Sequence, residues 1–365
     1  MQISILTAIS ALLLSCPQGA MATSTMADSA ATQEVSVNEL ATQVARFTGT
    51  TNPLDPTQEK ILDDYVRAMT TDLGSDDPQL VMKAREELIE ALSGFGTTEV
   101  FRQAFGKTFL RNAGPILEEG STFSRMNAYR VMGVICTTES NEALADQLKS
   151  SGSLTVADRV FAANMLTMAL KKTPPTQYRS NMRGYLSIVT SILNSARKEQ
   201  NWVALQRQFE CLANIASDAR IGTENQENEL RSRAIQAQAM VLEGALNQIE
   251  SGDGVELAKA VPSMILMLRS EYIKLDRLRK QKFSTTVAPK LVMVLETGEK
   301  AWDKLQDQEQ TRKIYGNAVF QAAVLTRLVR GSNNTPKSNP DESWRAGEKS
   351  IYGNEVSAWS AAKNP

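Results

Sequence analysis

Apolar residues recur at the pitch of a helix through most of this chain. Val37, Leu40, Val44 and Phe47 share one face of a segment that Gly49 ends, and Leu62, Tyr65 and Met69 share one face of the next. Start signals recur with the same regularity. Ser36 with Glu39, Thr155 with Asp158, Thr223 with Gln226 and Asp253 with Glu256 read as capping boxes, in which side chains satisfy the orphan amides of a first turn. Asp55-Pro56 and Asp77-Pro78 place an acceptor at the N-cap and a proline just inside. Gly114-Pro115 and Pro174-Pro175 read as breaks, and Pro262 and Pro289 as points where helices start or kink. Strict alternation of β-branched residues is missing. The pattern predicts an all-α fold of about twelve helices joined by short turns. Its expected architecture is an irregular α-solenoid of stacked antiparallel helix pairs, the alternative being a helical bundle.

The helices change character near Pro174. Before it they are short; after it Tyr178 to Arg197 and Glu227 to Glu250 read as longer ones. The chain therefore divides into a leader with a first helix (23–54), a run of short helix pairs (55–172), an array of longer helices (173–330) and a polar tail (331–365). The stretch Ser332 to Asp341 reads as mobile. One echo complicates the tail. Ile314-Tyr315-Gly316-Asn317, with Val319, recurs as Ile351-Tyr352-Gly353-Asn354, with Val356. Either a last helix docks as a cap, imitating the one before it, or the match is chance. Trp344 and Trp359 call for something to pack on.

The first 22 residues read as an export signal. Ile3 to Leu14 is an uncharged apolar run, too short to span a bilayer, and Ala20-Met21-Ala22 offers small residues for cleavage after Ala22. Against this, no lysine or arginine precedes Arg46, and a start at Met21 or Met26 would remove the signal. A second reading is lipoprotein processing at Leu13-Leu14-Ser15-Cys16, which would tether the chain through a lipid on Cys16. The expected location is the periplasm or cell envelope.

Charge and composition narrow the chemistry. Lysine and arginine number 40 against 41 aspartates and glutamates, a balance that argues against nucleic acid as a partner. The chain has no histidine, which excludes serine–histidine and cysteine–histidine catalysis and histidine-ligated metals. Three cysteines, Cys16, Cys136 and Cys211, are too few and scattered for a thiolate site. No cofactor is expected.

Arg125-Met126-Asn127-Ala128 and Arg159-Val160-Phe161-Ala162-Ala163 lie about one repeat length apart, and Leu80 to Leu92, with Ala84 and Leu88, is a looser copy. Small alanines sit where helices approach closely. Over about residues 76–172 the chain resembles the second helices of HEAT and armadillo repeats. That resemblance implies an α-solenoid presenting a long surface to a partner, and it implies no catalytic residues.

Other candidates are few. Lys274, Arg277, Arg279, Lys280 and Lys282 form the only dense basic run, suited to a phosphate, an acidic polymer or an anionic membrane surface, unless they merely complement a helix dipole. Gly106-Lys107-Thr108 matches the end of a phosphate-binding loop, but Phe101 replaces the required glycine. Asp63-Asp64 lies within a helix, where the two side chains diverge, and Asp76-Asp77 sits at a helix start. Cys136 and Cys211 have apolar surroundings and are either inert thiols or one disulfide. Together these features point to an exported, non-catalytic scaffold for another protein, touching a membrane only through a lipidated Cys16. The alternatives are a histidine-free α/α-toroid enzyme acting on carbohydrate with paired carboxylates, which the 6% aromatic content disfavours, and a lipid-anchored envelope protein.

Overall fold

The computed structural model describes residues 37–94, 96–149, 152–217 and 224–362. The export signal, Cys16 and the capping residues Ser36 and Thr223 lie outside them. Among the described residues the chain forms seventeen α-helices and no strand. They are α1 (37–45), α2 (Pro56–Leu73), α3 (Pro78–Ser93), α4 (Glu99–Glu119), α5 (Thr122–Ile135), α6 (Thr138–Asp146), α7 (Val156–Lys172), α8 (Pro175–Ser180), α9 (Met182–Ala196), α10 (Trp202–Ser217), α11 (Glu224–Ser251), α12 (Val261–Lys274), α13 (Arg277–Lys300), α14 (Trp302–Gln306), α15 (Glu309–Arg330), α16 (Pro340–Ala346) and α17 (Lys349–Ala361).

The start signals act largely as the sequence suggests. Asp55 Oδ1 accepts from the amides of Thr57 and Gln58, and Gln58 reaches back to the Asp55 amide. Asp77 and Thr155 cap α3 and α7. Three expectations fail. Pro115 sits inside α4 rather than ending it, because neighbouring helices hold the final turn in place. Asp253 makes no cap; it accepts from Ser251, and a 3-10 turn at Val255–Lys259 follows. The expected helix from Tyr178 to Arg197 is two, interrupted at Asn181.

The helices stack in two rows. The first runs α2, α4, α6, α9, α11, α13 and α17; the second runs α3, α5, α7, α10, α12, α15 and α16. Each helix packs on its neighbours within its row and on a partner across the core, and short connections make successive partners antiparallel. One apolar cluster fills the space between the rows from Val37 to Trp359. Close approach explains one sequence candidate. Gly106 lies mid-helix in α4, where a Cβ would come 2.8 Å from Ile135 Cγ2 at the α5–α6 turn. The Gly106-Lys107-Thr108 segment is a packing contact, not a phosphate loop.

Buried polar links join the second row. Arg85 on α3 donates to Asn127 on α5 at 3.1 Å. Arg125 on α5 holds Asp158 on α7 by two hydrogen bonds, of 3.1 and 2.9 Å. Arg159 on α7 holds Glu199, just before α10, at 2.7 and 2.9 Å. Asp158 and Glu199 are fully buried. Burial pushes the Asp158 pKa up, but hydrogen bonds from Arg125 and Thr155 outweigh it and hold the carboxyl below its ordinary range.

The C-terminal segment docks. Trp344 on α16 and Tyr352 and Trp359 on α17 have no exposed surface. Trp344 packs against Trp302 and Tyr315, with ring centres 4.9 and 5.4 Å away, and donates its indole N–H to Arg312 O. The repeated motif has a structural meaning. Tyr315 of α15 donates to Val294 O at 2.7 Å, and Tyr352 of α17 donates to the next carbonyl of α13, Leu295 O, at 2.9 Å. The two copies grip α13 side by side. The stretch read as mobile is tied to α15, since Arg327 donates to Ser338 O and Asn339 Oδ1.

Two outcomes follow. Arg125→Met, which leaves Asp158 buried without its counter-ion, should lower unfolding free energy in urea by about 3–5 kcal/mol. Adding Asp158→Leu should recover much of that loss. A Cβ at Gly316 would lie 2.8 Å from Trp344 Cδ1. Gly316→Val should therefore shift tryptophan emission to the red and cost about 1–3 kcal/mol; unshifted emission would mean that α16 is not seated there.

Candidate cationic pocket and row-face troughs

The basic run lies across the α12–α13 turn, and the structure splits it. Lys274 ends α12, where a positive charge suits the helix dipole. Arg277, Arg279, Lys280 and Lys282 fall in the first turns of α13, the end where the dipole disfavours cations. Dipole complementarity therefore accounts for one of the five. Lys280 places its ammonium 5.2 Å from the centre of the Tyr272 ring. Arg279 and Lys282 line a cavity of about 100 Å³ together with Arg231 from α11. Ile235, Leu275 and Phe283 give it apolar walls.

Asp276 also lines the cavity and caps α13, accepting from the Arg279 amide at 2.9 Å. That bond and the charges of Arg279 and Arg231 hold its carboxyl below the ordinary range. Arg231 is buried and donates through Nε to Ala216 O at 2.9 Å. Among the described residues no carboxylate lies within 4 Å of the charged groups of Lys274, Arg277 or Lys282. Chemically the arrangement suits an anion that also offers apolar contact. Arg231 carries no sequence signal, because it reaches the pocket from α11, more than forty residues upstream of the run.

Behind the turn lies Glu271, 4% exposed. It accepts from Gln238 Nε2 at 2.8 Å, and its second oxygen has no hydrogen-bond partner. Burial pushes its pKa up to about 8, against the Gln238 hydrogen bond and the charges of Lys274 and Arg231. At neutral pH the group is held as the acid.

Two troughs open on the face of the first row and share Thr190. One, between α6 and α9, is polar and lined by Asp146, Lys149, Ser187, Ser191, Asn194 and Lys198. The other, between α9 and α11, has Leu186, Val189, Leu193, Ala237 and Met240 as its floor, with Glu229 and Arg233 beside them. Their volumes are about 550 and 520 Å³.

The remaining candidates are structural. Asp63 accepts from Arg67 and Arg111 and, at 3.1 Å, from Asn112. Asp64 lies 3.7 Å from the same Arg67, so the pair is met by a surface arginine. Cys136 and Cys211 are free thiols. Cys136 donates to Gly133 O at 2.9 Å, at the end of α5; Cys211 lies within α10 against Ala163 O and Thr167. The disulfide reading fails on geometry. Helix α7 stands between α5 and α10, and packed axes are roughly 8–10 Å apart, whereas a disulfide needs Cα atoms within about 7 Å. Burial pushes the two thiols up to about 11 and about 12, far from the reactive thiolate.

Among the described residues, no three acidic or cysteine side chains cluster as a metal site, and no helix is long and apolar enough to cross a membrane. The sequence matches no family model and no characterised protein.

Glu271 supplies a pH prediction. Its folded-state pKa lies above the unfolded value, so its contribution is favourable below about pH 4.5 and is lost as pH rises through about 8. Glu271→Gln should leave stability near pH 5 little changed and raise it by about 1–3 kcal/mol at pH 8.5, read by urea unfolding at both.

Proposed function

We propose that this protein is an exported, non-catalytic scaffold, a HEAT-like stack of helix pairs that binds another protein. The observation that carries this reading is the pair of adjoining troughs on the first row. Side chains between the rows are consumed by the core, whereas Leu186, Leu193 and Met240 remain half-buried on a face that no other element among the described residues covers. The trough between two parallel-lying helices has the shape into which a further amphipathic helix packs, ridge into groove. Glu229 and Arg233 beside the apolar floor, and the polar trough next to it, would fix the register of such a segment.

A photo-crosslinking residue at Thr190, which both troughs share, tests the reading in the native host. The expected result is one discrete protein adduct from the envelope fraction, reduced at least about tenfold by Leu193→Asp, in keeping with the weight of a buried apolar anchor. A probe at Glu86, an exposed position on α3 in the second row, should give no such adduct. Equal labelling from both positions, or no discrete adduct from Thr190, would overturn the proposal.

A further inference from the structure

Among the large apolar side chains exposed in the described structure, Ile273 and Leu278 stand out most, at 59% and 67% exposure. They flank a single turn, Leu275-Asp276, between α12 and α13. The same nine residues, 274–282, carry five cations against the lone carboxylate of Asp276, in a chain whose net charge is −1. Two aliphatic side chains thus project from one end of a helix pair, ringed by positive charge.

The chemistry of the turn discriminates between partners. Lysine is depleted at protein interfaces, whose centres are built from packed apolar and aromatic groups, while this tip mixes lysines with two highly exposed aliphatic side chains, of which Leu278 also lines the cavity beside it. Nucleic acid would satisfy the cations and leave Ile273 and Leu278 without apolar surroundings. An anionic lipid surface satisfies both groups. Headgroup phosphates attract lysine and arginine, and the acyl region just beneath accepts the aliphatic groups. The Arg231–Arg279–Lys282 cavity opens at the same place, with the Asp276 carboxylate, which caps the Arg279 amide, in its lining. Its volume of about 100 Å³ exceeds the roughly 30 Å³ share of one water and admits a phosphate group.

We propose that the α12–α13 turn is a docking tip for an anionic bilayer. Ile273 and Leu278 enter between the acyl chains, Lys274, Arg277 and Lys280 face the headgroups, and the Arg231–Arg279–Lys282 cavity holds one lipid phosphate. This attachment needs no lipid on Cys16 and is independent of the trough partner. Arg279 is paired with Asp276 at 3.3 Å, whereas Lys274, Arg277 and Lys282 are exposed and have no carboxylate within 4 Å among the described residues.

Sedimentation of the full chain with vesicles tests the tip. Every sample carries Cys16→Ser, so that no acyl chain contributes and the N-terminal apolar run is common to all. Vesicles are phosphatidylcholine alone, or with about one-third phosphatidylglycerol. Binding to the anionic vesicles should be at least about tenfold tighter near 0.1 M salt, and the preference should shrink several-fold near 0.5 M. Arg277→Glu with Lys282→Glu should abolish the preference. Ile273→Ser with Leu278→Ser should weaken anionic binding by about tenfold, as expected for losing two inserted side chains. All four positions are exposed, so the variants should melt like the parent by circular dichroism. Equal binding to both vesicle types, or parental binding by both double variants, would sink the proposal. So would binding of inorganic phosphate or of an acidic peptide by a chain that stays in the supernatant when anionic vesicles are pelleted, since the pocket would then serve a soluble anion or a protein.

Discussion

The second row of helices depends on two buried ion pairs. Arg125 with Asp158 and Arg159 with Glu199 each span neighbouring helices, and α7 contributes to both through adjacent residues, receiving at Asp158 and giving at Arg159. Charges this deeply buried are tolerable only when every remaining donor and acceptor is met. No side-chain nitrogen or oxygen of either pair is buried without a hydrogen-bond partner. Arg125 also donates to Gly120 O, Arg159 to Leu154 O, and Glu199 accepts the amides of Gln200 and Asn201. An apolar contact would tolerate a sliding helix. A bidentate guanidinium–carboxylate pair does not, so the pairs fix the register of each helix against the next.

The far end of the stack relies on close backbone approach instead of charge. Gly298 lies where a Cβ would stand 2.5 Å from the Tyr352 hydroxyl oxygen, and Gly316 lies under Trp344. With those side chains absent, three helices converge until tyrosine hydroxyls reach the carbonyls of α13. The aromatic cluster of Trp302, Tyr315, Trp344 and Tyr352 then closes an end that would otherwise expose the inter-row core.

Much of the fold was legible from local signals. The caps at Asp55, Asp77 and Thr155 and the helical period of the apolar residues report on contacts within a turn or two, and they announce the helices correctly. What eluded the sequence is non-local. Pro115 looks like a stop because its cost is local, whereas the packing that offsets it comes from other helices. The Ile-Tyr-Gly-Asn echo resembled chance until α13 appeared between its copies. The basic run was visible as charge. Its meaning depended on which helix end it occupied and on Arg231, brought in from α11. Nothing local distinguishes Leu278 from a core leucine, since exposure is a property of the assembled surface.

The doubled motif on α13 also gives the molecule a direction. At one end, α15 and α17 clasp the same helix on adjoining carbonyls, so the face that a further pair would occupy is already taken by α16 and α17. Among the described residues, the other end, at α2 and α3, has the short α1 beside it and no counterpart of that clasp. A helix pair added at the α13–α15 end would have to displace that clasp before it could reach the inter-row core.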